Sequence, residues 1–517
     1  MQIEFDFFPT PIAEMAPPSP EDPPLPDIDL GQFARARMAY GSVRQHQGVA
    51  DRRALSGPQL IDACAQLRVR AEAGESAAIV ELIALLSGIP PEHAAHIALR
   101  EASTNAAPVI AINARTGQLE TDMHQICLGQ AAQPPSNGTA LPASHLLVKP
   151  LPRFLTELLR VAIFQRPVVC SLGELFPCTS IAPTIPVAGS GEGRLRATHV
   201  RISNGLSVFA IELGLDNYDA ALITNDFALI DKARLFYVRS DPVRVIDGCR
   251  KLYASLGWGD PEPCETPLPF GSRVVPSDES VRAVYEALSA AADTALPGRR
   301  YTLDSLIEHH NRYALLVAWL LGFCAGAREA SAYDFNARTC RPGALFVPYV
   351  DKPSGPFKQV RPVLLCRVAR EFVGAWWRHL AALVQHTGRL GLSNTTPWVR
   401  HVRAALAGDR IPLFVTIHHD KALAVGSAST AHAVPHAFRL APNAGRHFWQ
   451  TTLYQKGVPS SAIDVYARHA CRGTEPLSST SLAIPLVVHR QVCAVQDAVL
   501  RNLCIAPVAG LGRRAST

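Results

Sequence analysis

From about Gln32 to Arg100, apolar residues recur at three- and four-residue spacing through FARARMAYGSVR, PQLIDACAQLRVRAEAG and SAAIVELIALLSG, a period that predicts helices. Gly57-Pro58 and Gly88-Ile89-Pro90-Pro91 punctuate them. SHLLVKPLPRFLTELLRVAIF reads as the start of another helix. HVRISNGLSVFAIELG, NYDAALITNDFALI and DPVRVIDGCRKLYASLGW carry apolar stripes separated by Gly, Asp or Ser turn signals and predict several more. A Pro-rich stretch, GDPEPCETPLPFGSRVVPSD, precedes the helical pattern SVRAVYEALSAAADTAL. After Pro297-Gly298, YTLDSLIEHHNRYALLVAWLLGFCAGAREAS predicts a buried helix. Its apolar run, Tyr313 to Ala327, is 15 residues long and stops at Arg328, too short for a membrane span.

Two later segments break the helical monotony. In GALFVPYVDKPSGPFKQVRPVLLC, strand-like runs flank Lys-Pro-Ser-Gly-Pro, a β-hairpin signature with Lys352 at the bend and Arg361 on the return strand. NAGRHFWQTTLYQKGVPSSAIDVYARHACRGTEPLSSTS starts a helix at Arg446-His447 and breaks at Gly457-Val458-Pro459. It resumes through Ile463 and Val465, then delivers His469 before a Gly-containing loop.

Residues 9–28 hold eight prolines among acidic residues, which favours extended polyproline conformations over helix or sheet. Residues 128–145 and 181–193, rich in Gly, Pro, Ser and Ala, read as loops or a boundary. The expected organisation is a Pro-rich disordered tail (1–31), a helical N-terminal domain (32–150), a second helical domain (151–296) and a basic domain (297–517).

Composition narrows the class. With 517 residues, 48% hydrophobic and 18% charged, the chain suits neither a globally disordered protein nor a short disulfide scaffold. The formal charge of +6 conceals a division: residues 299–517 hold 26 Lys/Arg against 11 Asp/Glu and 12 of the 18 histidines, while the first 298 carry 24 against 33. That asymmetry points to a polyanion partner, nucleic acid before membrane surface; the alternative is a basic face with no such partner. Twelve cysteines without a C-x-x-C pair read as reduced thiols, and the N-terminus shows no secretory pattern, so a cytoplasmic location is expected. His418-His419-Asp420 lacks a third ligand at a diagnostic spacing, and no metal is assigned.

Arg446, Gly457, Ile463 and His469 resemble the second motif of the tyrosine recombinases, or phage-type integrases. That motif is an arginine-histidine pair opening a helix, a Gly-Val turn eleven residues on, an isoleucine six further and a histidine at twenty-three. Arg328 after Gly326-Ala327 resembles the family's first arginine motif, and Lys352 followed by Arg361-Pro362 resembles its catalytic hairpin. The motifs cover roughly Tyr301 to Ser481. The resemblance implies a mainly α protein, with helical N-terminal and DNA-clamping regions, the latter in 151–296. A catalytic domain with a small antiparallel sheet follows.

The implied chemistry is phosphoryl transfer without a metal or other cofactor. Attack on a DNA phosphodiester places extra negative charge on the non-bridging oxygens, which two guanidiniums, Arg328 and Arg446, would stabilise. By resemblance Lys352 would protonate the leaving 5′ oxygen, and His469 would position the phosphate or manage the nucleophile's proton. Lys358, Arg361, Asn443 and His447 would contact DNA. Alternatively, Arg328 would be a helix-end arginine paired with Glu329 or Asp334, and His469 a satisfied histidine near a helix end. Under the site reading, loss of either arginine would weaken phosphate engagement and leave the fold largely intact.

Two positions depart from the family. Asn443 stands where a histidine is common; an amide can donate a hydrogen bond but cannot exchange a proton at neutral pH. The window for the nucleophilic tyrosine reads Ser478-Ser479-Thr480-Ser481, with Thr480 at the best-aligned position, and no tyrosine follows Tyr466. Tyr454 and Tyr466 precede His469 on the paired helices and read as packing residues. The expected function is therefore DNA binding in integration or site-specific recombination, of a bacterial or mobile-element type. The rival is a non-catalytic DNA-binding or assembly protein beside an active integrase paralogue. Double-stranded DNA is the expected partner, with a homo- or hetero-oligomer formed on it and no membrane. A helical scaffold whose basic face serves protein contacts is the reading outside this family.

Overall fold

The computed structural model describes residues 55–100, 109–113, 115–123, 135–166, 169–177, 185–187, 195–227, 230, 232–264, 267–298, 301–328, 335–350, 360–467 and 485–512. The architecture is mainly α, with small sheets. Helices α1 (Gly57–Glu72) and α2 (Ser76–Ser87) lead into a four-stranded sheet. Its strands are β1 (Ala98–Arg100), β2 (Ile110–Asn113), β3 (Gln118–Asp122) and β4 (Leu146–Pro150), in that spatial order. β1 and β2 are parallel and the other pairings antiparallel. Helices α3 (Arg153–Gln165), α4 (His199–Glu212), α5 (Asn217–Thr224) and α6 (Lys232–Tyr237) follow. The two-residue strand β5 (Arg239–Ser240) comes next, then α7 (Pro242–Ser255), strand β6 (Phe270–Gly271), which pairs with β5, and α8 (Asp278–Thr294).

The sheet corrects the helical reading of residues 32–150. Its strands hide because polar residues occupy inward positions: Glu120, Thr121 and Asp122 of β3 are buried, and in β4 the inward pair is Leu147 and Lys149. An alternation argument meets polar residues at most of those inward positions. Lys149 is tolerated because its Nζ donates to Leu86 O (3.0 Å), Ile223 O (2.8 Å) and Asn225 Oδ1 (2.9 Å). Two of those acceptors sit at the C-terminal ends of α2 and α5, where helix dipoles favour a cation. Burial nonetheless pushes the amine down to about 7.

The basic part is built on α9 (Leu303–Cys324), buried along nearly its whole second half. The expected hairpin forms from β7 (Phe346–Val350) and β8 (Val360–Leu364), antiparallel with Arg361 opposite Tyr349. Then come α10 (Arg367–Arg389), α11 (Pro397–Ala407) and a second hairpin of β9 (Val415–His418) and β10 (Lys421–Ala424). Helices α12 (Ala444–Gln455), α13 (Ser460–Tyr466) and α14 (Pro485–Asn502) complete it. The break at Gly457-Val458-Pro459 falls between α12 and α13, as its turn chemistry predicts. No described helix is long and apolar enough to cross a membrane.

The proposed boundary near residue 297 is crossed by buried polar bonds. Arg234 is 1% exposed, pairs with Asp464 at 2.5 Å and donates to Ser460 O. Asp216 caps α5 and also accepts from the Ser460 amide at 2.8 Å. Arg244 reaches Asp219 (2.5 Å) and Tyr454 O (2.8 Å) and lies over the Tyr454 ring.

Candidate functional site

The end of α9 sets the geometry. The Gly326 amide bonds Phe323 O (3.0 Å) and the Ala327 amide reaches back to Gly322 O (3.0 Å), the paired closure that ends helices at a left-handed residue. Gly326 supplies it with φ of +54°, and a Cβ there would lie 2.5 Å from the Tyr466 hydroxyl oxygen. The chain is thereby turned off the helix axis two residues before Arg328, which is half-buried.

Helix α12 starts against the same turn. Asn443, at its N-cap, also takes a left-handed conformation (φ +59°), and its carbonyl accepts from the Arg446 and His447 amides. Gly445 lets the backbones approach, since a Cβ would meet Phe323 Cα at 3.1 Å. Arg446 then enters the interior with 0% exposure. Its Nε donates to Gly326 O (3.2 Å) and its Nη2 to Ala467 O (2.8 Å), while Cζ lies 5.4 Å from the Tyr237 ring centre. One guanidinium thus ties the segment leading to Arg328 to the segment leading to His469.

Neighbouring groups reinforce the junction. The Tyr466 hydroxyl donates to Cys324 O (2.9 Å), which also accepts from Gln496 Nε2 of α14 (2.8 Å). Strand β8 closes on the same place through a small pocket lined by Pro362, Val363, Leu364, Val465, Tyr466, His489, Val492 and Cys493. The hairpin base and the Arg446 junction therefore share Tyr466 as a wall.

The other expected site residues divide. Arg361 lies in β8, while Lys352, Lys358, His469 and Thr480 lie outside the described residues. His447 is 1% exposed and bonds Ser272 through Nδ1 at 2.7 Å, with its ring 4.7 Å from Tyr237. Burial first, then the Arg446 charge, pushes its pKa down to about 3, so it is neutral. It packs the α6–α12 contact and presents no edge to solvent. Asn443 is half-buried.

Tyr454 and Tyr466 are packing residues, as their positions suggest. Tyr454 is 2% exposed, and its hydroxyl donates to Asp219 Oδ1 at 2.5 Å. Burial holds that phenol well above its usual range, with the Asp219 charge adding to the shift. Asp219 is itself pushed up by burial, against the pull of Tyr454 and Arg244. His418, His419 and Asp420 are exposed around the β9–β10 turn, and the described residues contain no cluster of three or more His, Cys, Asp or Glu able to hold a metal.

Sequence reading missed the Asp216, Asp219, Arg234 and Arg244 network that seats α12 and α13. Asp216 carries an N-cap signal, but nothing in its spacing names Ser460 as a second partner. No family model, curated protein or solved structure matches the chain.

Chemically, Arg446 as placed spends two of its nitrogens on carbonyls and seals the junction. A phosphate could reach the guanidinium, which is 0% exposed, only if the surrounding segments moved apart.

Proposed function

We propose that the protein is a DNA-binding, recombinase-like protein acting in DNA integration or site-specific recombination from the cytoplasm, with double-stranded DNA as its partner. The observation that carries this reading is the Arg446 junction. Its bonds to Gly326 O and Ala467 O bring the approaches to Arg328 and His469 to one point. A phosphate-gripping site assembled from separate segments requires such a convergence. The charge of residues 299–517, 26 cations against 11 carboxylates, supplies the long-range attraction.

A second reading has its own support. Arg446 is fully buried, Tyr454 and Tyr466 are committed to internal hydrogen bonds, and the expected nucleophile window holds only Ser and Thr. This favours a non-catalytic member that grips DNA within a homo- or hetero-oligomer, beside an active integrase paralogue that supplies phosphodiester transesterification.

Both readings require duplex binding, tested by fluorescence anisotropy of the full chain on a labelled duplex across a salt series. Affinity should fall linearly in log–log form, with a slope set by the number of phosphates neutralised. Failure to bind at low salt, or binding indifferent to salt, would remove both.

A further inference from the structure

The Arg446 junction is sealed, yet most of the excess positive charge lies elsewhere. Helix α11 buries Trp398, Val399, Val402 and Ala405, which leaves Arg400 and Arg403, one turn apart, on the outer face with no acidic residue on the helix. The helix ends at Gly408 (φ +93°), and exposed Arg410 follows. A bridge between Asn336 and Pro412, with the Ala337 amide on Ile411 O (2.9 Å), brings exposed Arg338 alongside Arg410. On the other side α11 packs on β10, whose first residue, exposed Lys421, pairs with His418 across the hairpin turn. Five exposed cations thus lie on adjoining segments, α11 with the chain after it, the bridged segment that carries Arg338 and the β9–β10 hairpin, together with two carboxylates, Asp409 and Asp420, and exposed His418 and His419.

These cations are not consumed by the fold. None of the five pairs with a carboxylate among the described residues, whereas Arg68, Arg70, Arg160 and Arg250 of the acidic half pair with Glu72, Glu75, Glu262 and Asp247. Like charges gathered without counter-charge repel one another, and a bound polyanion relieves that repulsion. The platform beneath them is rigid. Trp377 donates to Cys340 O (2.9 Å) under Arg341, whose guanidinium covers the ring and reaches Leu406 O. Asn311 of α9 brackets β9 through both its amide atoms at Ile417.

The geometry points to this α11/β9–β10 face as a phosphate-backbone contact surface for duplex DNA, separate from the Arg446 junction. It rests on the DNA-binding reading above. Strand β9 meets α9 at His310 and Asn311, while the junction lies beyond Cys324, fourteen residues along the same helix. At 1.5 Å per residue that is about 21 Å, or roughly six base pairs of duplex. A single duplex is long enough to reach both places, and the outer face would hold it whether or not the junction opens.

The test replaces Arg400, Arg403, Arg410 and Lys421 together by Gln in the full chain. A control replaces Arg68, Arg70, Arg160 and Arg250 by Gln, an equal change in net charge. Each phosphate contact contributes about 0.9 to the slope of log affinity against log salt, so the first variant should lower the slope by roughly 3 and the control by less than 1. Equal slopes in the two variants, or a wild-type slope in the first, would overturn this surface while leaving the DNA-binding reading standing. Absence of wild-type binding to duplex DNA would overturn both. A slope lost on duplex RNA but kept on DNA would reassign the face to RNA and refute the proposal.

Discussion

Replacing Arg446 by alanine should unfold the junction rather than merely blunt a binding site, and the structure gives the scale. Two hydrogen bonds from a charged donor, to Gly326 O and Ala467 O, are lost, each worth about 1.5–3 kcal/mol. The stacking on Tyr237 is also lost, on the order of 1–2 kcal/mol for a desolvated pair. Against this, the variant no longer bears the desolvation of a buried guanidinium, which offsets several kcal/mol. The expected net loss is about 1–5 kcal/mol, the lost contacts less that offset. Arg446→Lys should recover only part of it, because a compact ammonium cannot span two carbonyls as a planar fork does. Arg328→Ala, at a half-buried position, should cost much less. In this geometry the fold is expected to tolerate loss of Arg328 better than loss of Arg446. Urea unfolding followed by circular dichroism measures all three. An Arg446→Ala unfolding free energy within about 0.5 kcal/mol of wild type would refute the clasp.

Three further outcomes follow from other buried groups. Lys149→Met should destabilise by roughly 3–5 kcal/mol, since three buried acceptors lose their donor; a neutral effect in the same assay would contradict the pinning role. Gln450 is fully buried with neither amide atom hydrogen-bonded among the described residues, so Gln450→Leu should raise stability by about 1–3 kcal/mol, and a loss would show that the amide has a partner. Burial holds His310 and His447 down to about 3, and His379 well below its ordinary value, against about 6.5 unfolded. The unfolded chain then binds more protons, so stability is complete above pH 6.5 and falls as pH drops toward 3, by up to about 1.4 kcal/mol per pH unit for each histidine. A His310→Gln/His379→Gln chain should lose less stability than wild type between pH 7 and pH 5, and an equal loss would count against the buried pair.

What could be read from the sequence was periodicity and punctuation. Long helices such as α9, the β7–β8 hairpin and the Gly457 break carry local signals strong enough to survive folding. The N-terminal sheet does not, because Lys149 and Glu120 occupy its interior, and what compensates Lys149 is carbonyls at distant helix ends. The tautomers that lock the core were equally invisible. His310 donates from Nε2 to Val415 O and accepts at Nδ1 from His379 Nε2, and His379 accepts at Nδ1 from the Leu511 amide. That chain fastens the C-terminal segment, with Tyr285 and Tyr313 donating to Ala506 O and Val508 O. Motif spacing led to Arg446, but only three dimensions show that its guanidinium faces protein carbonyls. His447 illustrates the same limit: a helix-opening pair read as DNA-facing turns inward because Ser272 and the α6 aromatics complete its surroundings.

The most direct measurement incubates the full-length protein with nicked duplex substrates that trap a covalent intermediate, then maps any adduct by mass spectrometry. A phenol, with a pKa of about 10, is both an attainable nucleophile and a competent leaving group, and no phenol follows Tyr466 in this chain. The expected result is salt-sensitive binding to the duplex with no phosphotyrosyl bond. An adduct on Ser478, Ser479, Thr480 or Ser481 would establish strand transfer with an aliphatic nucleophile and set aside the non-catalytic reading. An adduct on Tyr454 or Tyr466 would contradict the account at its centre, since both hydroxyls would have to leave the hydrogen bonds that hold the junction closed.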